Sequence, residues 1–146
     1  MASRYKLLLV GEKDEVLVRK VNDLARMKGL ENQILVVGPV AYADLPAAYH
    51  HATVNLFASS CENCPNILLE ALGAGRPVLS SDVMPMPEFG VDAADPKSIC
   101  DALIRVLQDE SHRNELAAAA VRRSADFDWA NISRTTWQHI TGLVTQ

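Results

Sequence analysis

Two glutamates in a single segment are the residues of this sequence best suited to binding chemistry. The segment from Ser59 to Asp82 reads SSCENCPNILLEALGAGRPVLSSD and places Glu62 and Glu70 with seven residues between them. An ionised carboxylate offers two acceptor oxygens, which suits it to the paired O–H donors of a vicinal diol. The spacing therefore favours contacts to sugar hydroxyls, although each glutamate by itself is also typical of a solvated surface charge.

The helix predicted after Pro65 would add an anion-binding site beside these carboxylates. Proline is favoured at the first position of a helix, and the apolar spacing predicts a helix over about Asn66–Gly73. The amides of Asn66 and Ile67 would then lack intrahelical acceptors at the positive end of the helix dipole, where a phosphate binds without a lysine. We expect the two glutamates to face one crevice, on opposite sides of this anion site.

Four apolar runs are continuous rather than alternating, which is typical of parallel strands covered on both faces by helices. These runs are Leu7–Val10, Ile34–Val37, Thr53–Ala58 and Pro77–Ser80. Helical spacing between them predicts three helices, which are Asp14–Lys28, Leu45–His51 and the segment that follows Pro65. The first 80 residues therefore predict an α/β fold with a Rossmann-like, doubly wound parallel sheet flanked by helices. Because ligands bind at the carboxyl ends of such strands, the loop Ser59–Pro65 lies where a ligand is expected.

The C-terminal part of the sequence predicts helices only. An aspartate and a proline open the first of them, as expected for a capping residue and a first helical position. Two further helices are predicted over Ser111–Ser124 and from Asp128 to about Val144. A chain of 146 residues is long enough for one core and too short for two ordinary domains. We therefore predict a single domain over 1–146, with an α/β core over 1–94 and C-terminal helices over 95–146.

Composition and charge exclude several functional classes. The formal net charge is −4 with acidic and basic residues interspersed, so no basic stripe is available to neutralise a nucleic-acid backbone. The apolar run near the N-terminus has only four residues before Gly11, which fits neither a signal sequence nor a membrane span and predicts a cytoplasmic protein. Three cysteines without a secretory signal predict reduced thiols rather than disulfides.

Three other motifs favour structural roles over chemical ones. Cys61 and Cys64 have the spacing of half a zinc or redox site, but no second pair completes it, so no metal is predicted. Arg76 follows a predicted helix end, where a cation interacts favourably with the negative end of the helix dipole. Trp129 and Trp137 lie eight residues apart on an amphipathic helix, which indicates core or interdomain packing.

The segment around the two glutamates resembles the E-x7-E region of family 4 retaining glycosyltransferases, which lies in the C-terminal, donor-binding domain of their GT-B fold. The similarity is carried by ENCPNILLE followed by ALGAGRPVLSSD, and it continues in LLLVGE, ILVVGPV, DLPAAYHHATV, MPEF and FDWANISRTTW, in the family's order. These segments span nearly the whole chain, and together they are far more specific than two spaced glutamates. The resemblance implies the C-terminal half of a GT-B fold without its first strand, ending in an all-helical segment.

The resemblance also implies roles for particular residues. Glu62 matches the first glutamate of the motif, near the donor sugar and its reaction centre, and is the predicted catalytic residue. Glu70 matches the second glutamate, which binds the ribose hydroxyls of the nucleotide. Main-chain groups complete the implied donor site: the amides of Cys64, Asn66 and Ile67 approach the sugar hydroxyls and the diphosphate, and the turn at Pro39 and Val40 receives the nucleobase.

The activity implied by the resemblance is transfer of a sugar from a UDP- or GDP-sugar to an unknown acceptor, with retention of configuration. It implies no metal and no cofactor beyond the nucleotide-sugar, because a helix dipole and basic side chains stabilise the diphosphate leaving group. The family's acceptor-binding domain has no counterpart in this sequence. We therefore expect the donor-binding portion of an enzyme, inactive alone, with an acceptor-binding domain or chain as partner. Its expected location is cytoplasmic, or peripheral at the inner membrane face.

Two departures from the family pattern affect the sheet. The family's donor domain begins with a strand and a helix whose loops supply an arginine and a lysine to the diphosphate, and this sequence starts after them. That strand is central in the family's order, 3-2-1-4-5-6, so its neighbours must close the gap, accept a strand from elsewhere or rearrange. An uncovered strand also favours a homo-oligomer. The connection EFGVDAADP is short, and we predict no sixth strand there.

Two alternative functions remain open at this point. A non-catalytic module of the same ancestry would bind a nucleotide or a partner protein and do no chemistry. A fragment of a GT-B-like sugar-nucleotide epimerase would leave the bond between sugar and nucleotide intact and change the stereochemistry of the sugar. Nucleotide binding and product analysis distinguish these alternatives.

Overall fold

The strands that the structure describes pair in parallel and belong to two sheets. A computed structural model describes residues 5–60, 62, 65–81 and 89–144. Within these ranges the strands form one sheet of two strands and one sheet of three. The backbone folds into two compact units, residues 1–45 and residues 46–146.

The first unit contains a strand–helix–strand motif. Its elements are β1 (Leu7–Val10), α1 (Glu15–Met27), β2 (Ile34–Val37) and a 3-10 turn at Tyr42–Asp44. The two strands pair in parallel, and both have the bounds that the sequence predicts. Asp14 caps α1, because its Oδ1 accepts the amide N–H groups of Val16 and Leu17 at 2.8 and 3.0 Å. This cap explains why the helix begins at that point.

Apolar side chains of the first unit remain largely exposed. Leu8 of β1 is 47% exposed and Leu24 of α1 is 57% exposed, and Ala25 is the one buried residue among those described in this unit. The prediction of strands covered on both faces is therefore wrong for β1 and β2. A single helix can cover only one face of a two-stranded sheet. The apolar runs of β1 and β2 therefore keep contact with solvent.

The second unit contains the three-stranded sheet and the remaining helices. From the unit boundary onward the elements are α2 (Leu45–His51), β3 (Asn55–Phe57), α3 (Asn66–Gly73), β4 (Val78–Ser81), β5 (Gly90–Val91), α4 (Pro96–Gln108), α5 (Glu110–Ser124), a 3-10 turn at Ala125–Phe127, and α6 (Trp129–Val144). The strand order is β3-β4-β5, all parallel, with Asn55 opposite Val78. The predicted α/β class with a helical C-terminal segment is confirmed.

β5 is a short strand that the sequence analysis does not predict. Gly90 and Val91 pair in parallel with the last two residues of β4, and Val91 is 3% exposed. The prediction that no strand lies in EFGVDAADP is therefore wrong, because two residues and one buried side chain are sufficient to extend the sheet. A strand this short has no periodicity that a sequence pattern could detect.

The core of the second unit is formed by its sheet together with α3, α4 and α5. The side chains of Leu68, Leu72, Val78 and Val106 are fully buried, at 0% exposure. β4 is buried along its whole length, as its apolar run predicts. In this unit the helices cover the sheet that carries the candidate site.

α6 is exposed along its described length. Trp129, Trp137 and Leu143 are 78%, 66% and 76% exposed, although they lie on one apolar side of the helix. The main contact of α6 is with the 3-10 turn at Ala125–Phe127. The two tryptophans therefore do not belong to the core, which leaves interdomain packing as their interpretation. No described helix is long and apolar enough to cross a lipid bilayer.

Candidate functional site

The loop that follows β3 is tied to the end of β4. Ser59 donates its backbone N–H to Ser81 Oγ at 3.2 Å, and Ser81 is only 1% exposed. This bond joins the carboxyl ends of two neighbouring parallel strands, which is the edge of a sheet where ligands bind. A buried hydroxyl of the sheet therefore positions the loop that carries Glu62.

Glu62 is exposed on this loop, and a nearby hydroxyl orients its side chain. The hydroxyl of Ser59 donates to Glu62 Oε1 at 3.1 Å. The Glu62 carboxylate makes no other hydrogen bond to the described residues, so its Oε2 atom is available to a ligand. The loop thus presents an oriented acceptor to solvent at the ligand-binding edge of the sheet.

Glu70 is partly buried and contacts α2. The hydroxyl of Tyr49 donates to Glu70 Oε2 at 3.3 Å. No local sequence pattern indicates Tyr49 as a site residue, because nothing near it in the chain links it to a glutamate 21 residues further along. The signal that could have found it is the DLPAAYHHATV segment, which contains Tyr49 and already carries part of the family resemblance.

Two amide groups at the N-terminus of α3 have no partner in the described part of the chain, as the sequence predicts. Pro65 occupies the capping position rather than the first helical position, and its side chain makes no capping hydrogen bond. Its carbonyl accepts the amides of Leu68 and Leu69 at 3.0 and 3.3 Å. The amides of Asn66 and Ile67 have no acceptor among the described residues, so they are available to an anion.

The turn predicted to receive a nucleobase lies in the first unit. Pro39 and Val40 follow the carboxyl end of β2. The Lys13 side chain lies close to Gly38, the residue just before this turn. A Cβ added to Gly38 would lie 3.2 Å from Lys13 Cε. A lysine therefore lies at the same end of this sheet as the predicted turn. Its place in the loop after a predicted strand is the signal that the sequence analysis missed.

The predicted site residues are divided between the two units. Glu62, Glu70 and the amides of α3 belong to the second unit, whereas Pro39 and Val40 belong to the first. Cys64, a predicted donor contact, lies outside the described residues. The proposed roles of all these residues therefore stay predictions.

No metal-binding cluster accompanies the candidate site in the part of the chain that the structure describes. Those residues contain no group of three or more His, Cys, Asp or Glu side chains that could hold an ion. Of the predicted half-motif, both Cys61 and Cys64 lie outside the described ranges. The prediction of a metal-free site therefore also stays a prediction.

Arg76 has a structural contact that differs from the predicted one. The sequence places it at the end of α3, but its Nε donates to the carbonyl oxygen of His50 at 2.6 Å, in the last turn of α2. A cation still meets the negative end of a helix, as expected, but the helix is a different one. The preceding Gly75 has a φ of 68°, which turns the chain sharply just before Arg76.

A solved structure shares the architecture of this chain. Sucrose-phosphate synthase from Thermosynechococcus elongatus matches it with a TM-score of 0.78 and 25% sequence identity, over 96% of this chain and 39% of that protein. Parallel sheets flanked by helices, followed by a helical C-terminal segment, thus match part of a GT-B structure. The fold therefore places this chain in the GT-B class.

Sequence comparisons then identify the family. The profile of the family described as glycosyl transferases group 1 matches residues 1–109. The O-antigen chain mannosyltransferase B of Escherichia coli is 34% identical over 143 residues, which cover 91% of this chain and 36% of that protein. The D-inositol 3-phosphate glycosyltransferase of Corynebacterium diphtheriae is 31% identical over 116 residues, covering 74% and 27%. This chain belongs to the glycosyl transferases group 1 family, and it spans about a third of the length of these curated relatives.

Family membership confirms the resemblance to retaining GT-B glycosyltransferases, whose donors are nucleotide-sugars. Glu62, Glu70 and the free amides of α3 all lie within the matched residues 1–109. α5 and α6 lie beyond that range. The part of the chain that carries the candidate site is therefore the part that carries the family signal.

Proposed function

We propose that this chain is the donor-binding portion of a retaining glycosyltransferase, which takes a UDP- or GDP-sugar, transfers the sugar to an acceptor and is inactive alone. The observation that carries the proposal is the N-terminus of α3 at the ligand-binding edge of the sheet, where the amides of Asn66 and Ile67 have no acceptor among the residues that the structure describes. A loop bearing Glu62 precedes them, and Glu70 follows on the same helix. Membership of a family that uses nucleotide-sugars supports the same conclusion.

The N-terminus of α3 performs the electrostatic part of the proposed reaction. The diphosphate accepts hydrogen bonds from the amides of Asn66 and Ile67, and the amide of Cys64 is proposed to contact the sugar or the diphosphate next to them. Negative charge grows on the diphosphate as the sugar departs, and the positive end of the helix dipole stabilises it. The proposal needs no metal and no cofactor beyond the donor.

The two carboxylates bind different parts of the proposed donor. Glu70 accepts hydrogen bonds from the ribose hydroxyls. The Tyr49 hydroxyl, which donates to Glu70 Oε2 at 3.3 Å, holds the carboxylate in place. Glu62 lies beside the sugar and its reaction centre, and Pro39 and Val40 receive the nucleobase. Mannose is the first sugar to test, because the 34% identical relative from Escherichia coli is a mannosyltransferase.

We assign acceptor binding to a further domain or chain. Exposed apolar side chains on β1, α1 and α6 offer surfaces for such a partner, or for a second copy of this chain in a homo-oligomer. The same surfaces favour a second candidate function, a non-catalytic module that binds a partner and no donor. The proposed location is cytoplasmic, or peripheral at the inner membrane face.

Calorimetric titration of the purified chain with UDP, GDP and their sugar conjugates tests the proposal. One nucleotide should bind, and Glu70→Ala should weaken it by roughly 1–3 kcal/mol, because charge-assisted hydrogen bonds are lost. Tyr49→Phe should cause a smaller loss, since it removes only the hydroxyl that orients the carboxylate. Glu115→Ala, which removes an exposed glutamate of α5, is the matched control and should leave binding unchanged.

Two results would overturn the proposal. Unchanged affinity in Glu70→Ala would place the nucleotide elsewhere. A folded chain that binds none of the nucleotides at millimolar concentration would leave the interaction module as the better explanation, and size-exclusion chromatography with light scattering would then show whether the chain associates with itself.

A further inference from the structure

A cationic cavity lies at the opposite end of the sheet from the proposed donor site. It has a volume of about 190 Å³, and its lining includes His51, Thr53, Arg76, Arg113 and Asn114. Thr53 and Arg76 precede β3 and β4, so the cavity lies near the amino ends of these strands. The candidate donor residues follow the carboxyl end of β3 instead. None of the described residues that line the cavity is an aspartate or a glutamate.

Both arginines of the cavity are held by the ends of helices. Arg113 Nη1 donates to the carbonyl oxygens of Val106 and Leu107 at 3.1 and 3.5 Å, in the last turn of α4. Arg76 Nε donates to the carbonyl oxygen of His50 at the end of α2. A guanidinium has five N–H donors, so most of the donors on each side chain remain available to a ligand. Because the side chains are already held, a ligand would order them at little further entropic cost.

The charges of these arginines have no acidic partner among the described side chains. Neither Arg76 nor Arg113 takes part in the ion pairs of the described ranges. Asp109 lies at the start of α5, but its Oδ1 accepts the amide of His112 at 3.0 Å and so serves the helix cap. Two guanidinium groups that line one cavity repel each other, and an anion placed between them would remove that repulsion.

We propose that this cavity binds a phosphate group, either free phosphate or a small phosphate monoester. Guanidinium groups bind tetrahedral oxyanions through paired N–H donors, and the hydroxyl of Thr53 and the amide of Asn114 add neutral donors. The volume of about 190 Å³ is below the roughly 300–1,000 Å³ of pockets that hold drug-sized ligands. The cavity is therefore large enough for a phosphate with few attached atoms.

Amide chemical shifts of the full ¹⁵N-labelled chain, titrated with inorganic phosphate or glycerol 3-phosphate against chloride at constant ionic strength, test this proposal. Saturable shifts are expected at Thr53 and Asn114. Asn114→Asp should weaken binding at least tenfold, because it adds a carboxylate to the lining without removing a hydrogen bond that holds either arginine. Arg122→Gln makes the same change in net charge on α5 outside the cavity lining and should leave the affinity within about twofold.

The outcomes separate the cavity from other phosphate sites. Equal affinity in Asn114→Asp and Arg122→Gln would overturn the proposal, as would shifts confined to Asn66 and Ile67, which would place the phosphate at α3. Tighter binding of glycerol 3-phosphate than of inorganic phosphate would identify a monoester as the ligand, and equal or weaker binding would show that the cavity binds the phosphate group alone; both support the proposal. Because this test uses no nucleotide, its failure is independent of the failure of the proposed donor site.

Discussion

The two compact units of this chain are both built from parallel strands and helices, yet they bury their apolar side chains to very different extents. In the second unit Leu72 and Val78 have no solvent exposure. In the first unit Leu8 and Leu24 remain 47% and 57% exposed. The strands LLLV and ILVV of the first unit are more apolar than VLSS of the second. Burial therefore follows the number of elements that cover a strand, and not the apolar character of the strand itself.

This difference implies that stability is unevenly distributed along the chain. Burial of apolar surface contributes roughly 25 cal/mol per Å², so the second unit holds most of the hydrophobic stabilisation. Regions with few buried contacts open locally at a lower free energy than the core does. We expect the first unit to depend on whatever covers it, and the second unit to depend on its own core.

The largest effect is expected from a cavity in the core of the second unit. Leu72→Ala removes a fully buried side chain of α3 and should lower the free energy of unfolding by about 2–5 kcal/mol. Leu24→Ala is the matched substitution in α1, where the side chain is 57% exposed. It should change the free energy of unfolding by no more than about 0.5 kcal/mol. Urea denaturation followed by far-UV circular dichroism measures both variants. Equal losses would contradict the contrast between the two units.

A smaller effect, with opposite signs at neighbouring positions, is expected in β4. Ser80 Oγ is buried and has no hydrogen-bond partner among the described residues, whereas Ser81 Oγ accepts the amide of Ser59. Ser80→Ala should therefore raise the free energy of unfolding by about 1 kcal/mol, and Ser81→Ala should lower it by about 1–2 kcal/mol. The same urea denaturation tests the pair. A gain in stability from Ser81→Ala would show that the loop of Glu62 is not held by the sheet.

The smallest effect is expected at the cap of α5 and depends on pH. The hydrogen bond from the His112 amide holds the pKa of Asp109 below its ordinary value. A lowered pKa in the folded chain means that the ionised cap stabilises the fold at neutral pH and that this contribution is lost as the pH falls below about 4. The difference between the urea midpoints of the wild type and Asp109→Asn should thus be larger at pH 7 than at pH 3. Asp14→Asn, the same change at the cap of α1, should leave the midpoint of the second unit unchanged at both pH values.

Features set by neighbouring residues could be predicted from the sequence, and features that join distant residues could not. The strands Leu7–Val10 and Ile34–Val37 and the helix Asn66–Gly73 follow from local apolar patterns and turn residues. The hydrogen bond between Tyr49 and Glu70 joins residues 21 apart, and its existence depends on how α2 and α3 pack. The exposure of the first unit depends likewise on which elements cover it. For the candidate site, sequence therefore predicts the free amides of α3 and misses the partners of the side chains around them.

The position of the two tryptophans determines what optical spectroscopy can report for this chain. Trp129 and Trp137 are its only tryptophans, and both lie on α6 at 78% and 66% exposure. Indole emission responds to the polarity around the ring, so it remains at long wavelength in the folded chain as well as in the unfolded one. Tryptophan fluorescence is therefore nearly insensitive to melting of the core. A shift to shorter wavelength would instead report that another surface has covered α6. The intrinsic fluorescence of the native protein can therefore monitor docking on this helix without a label.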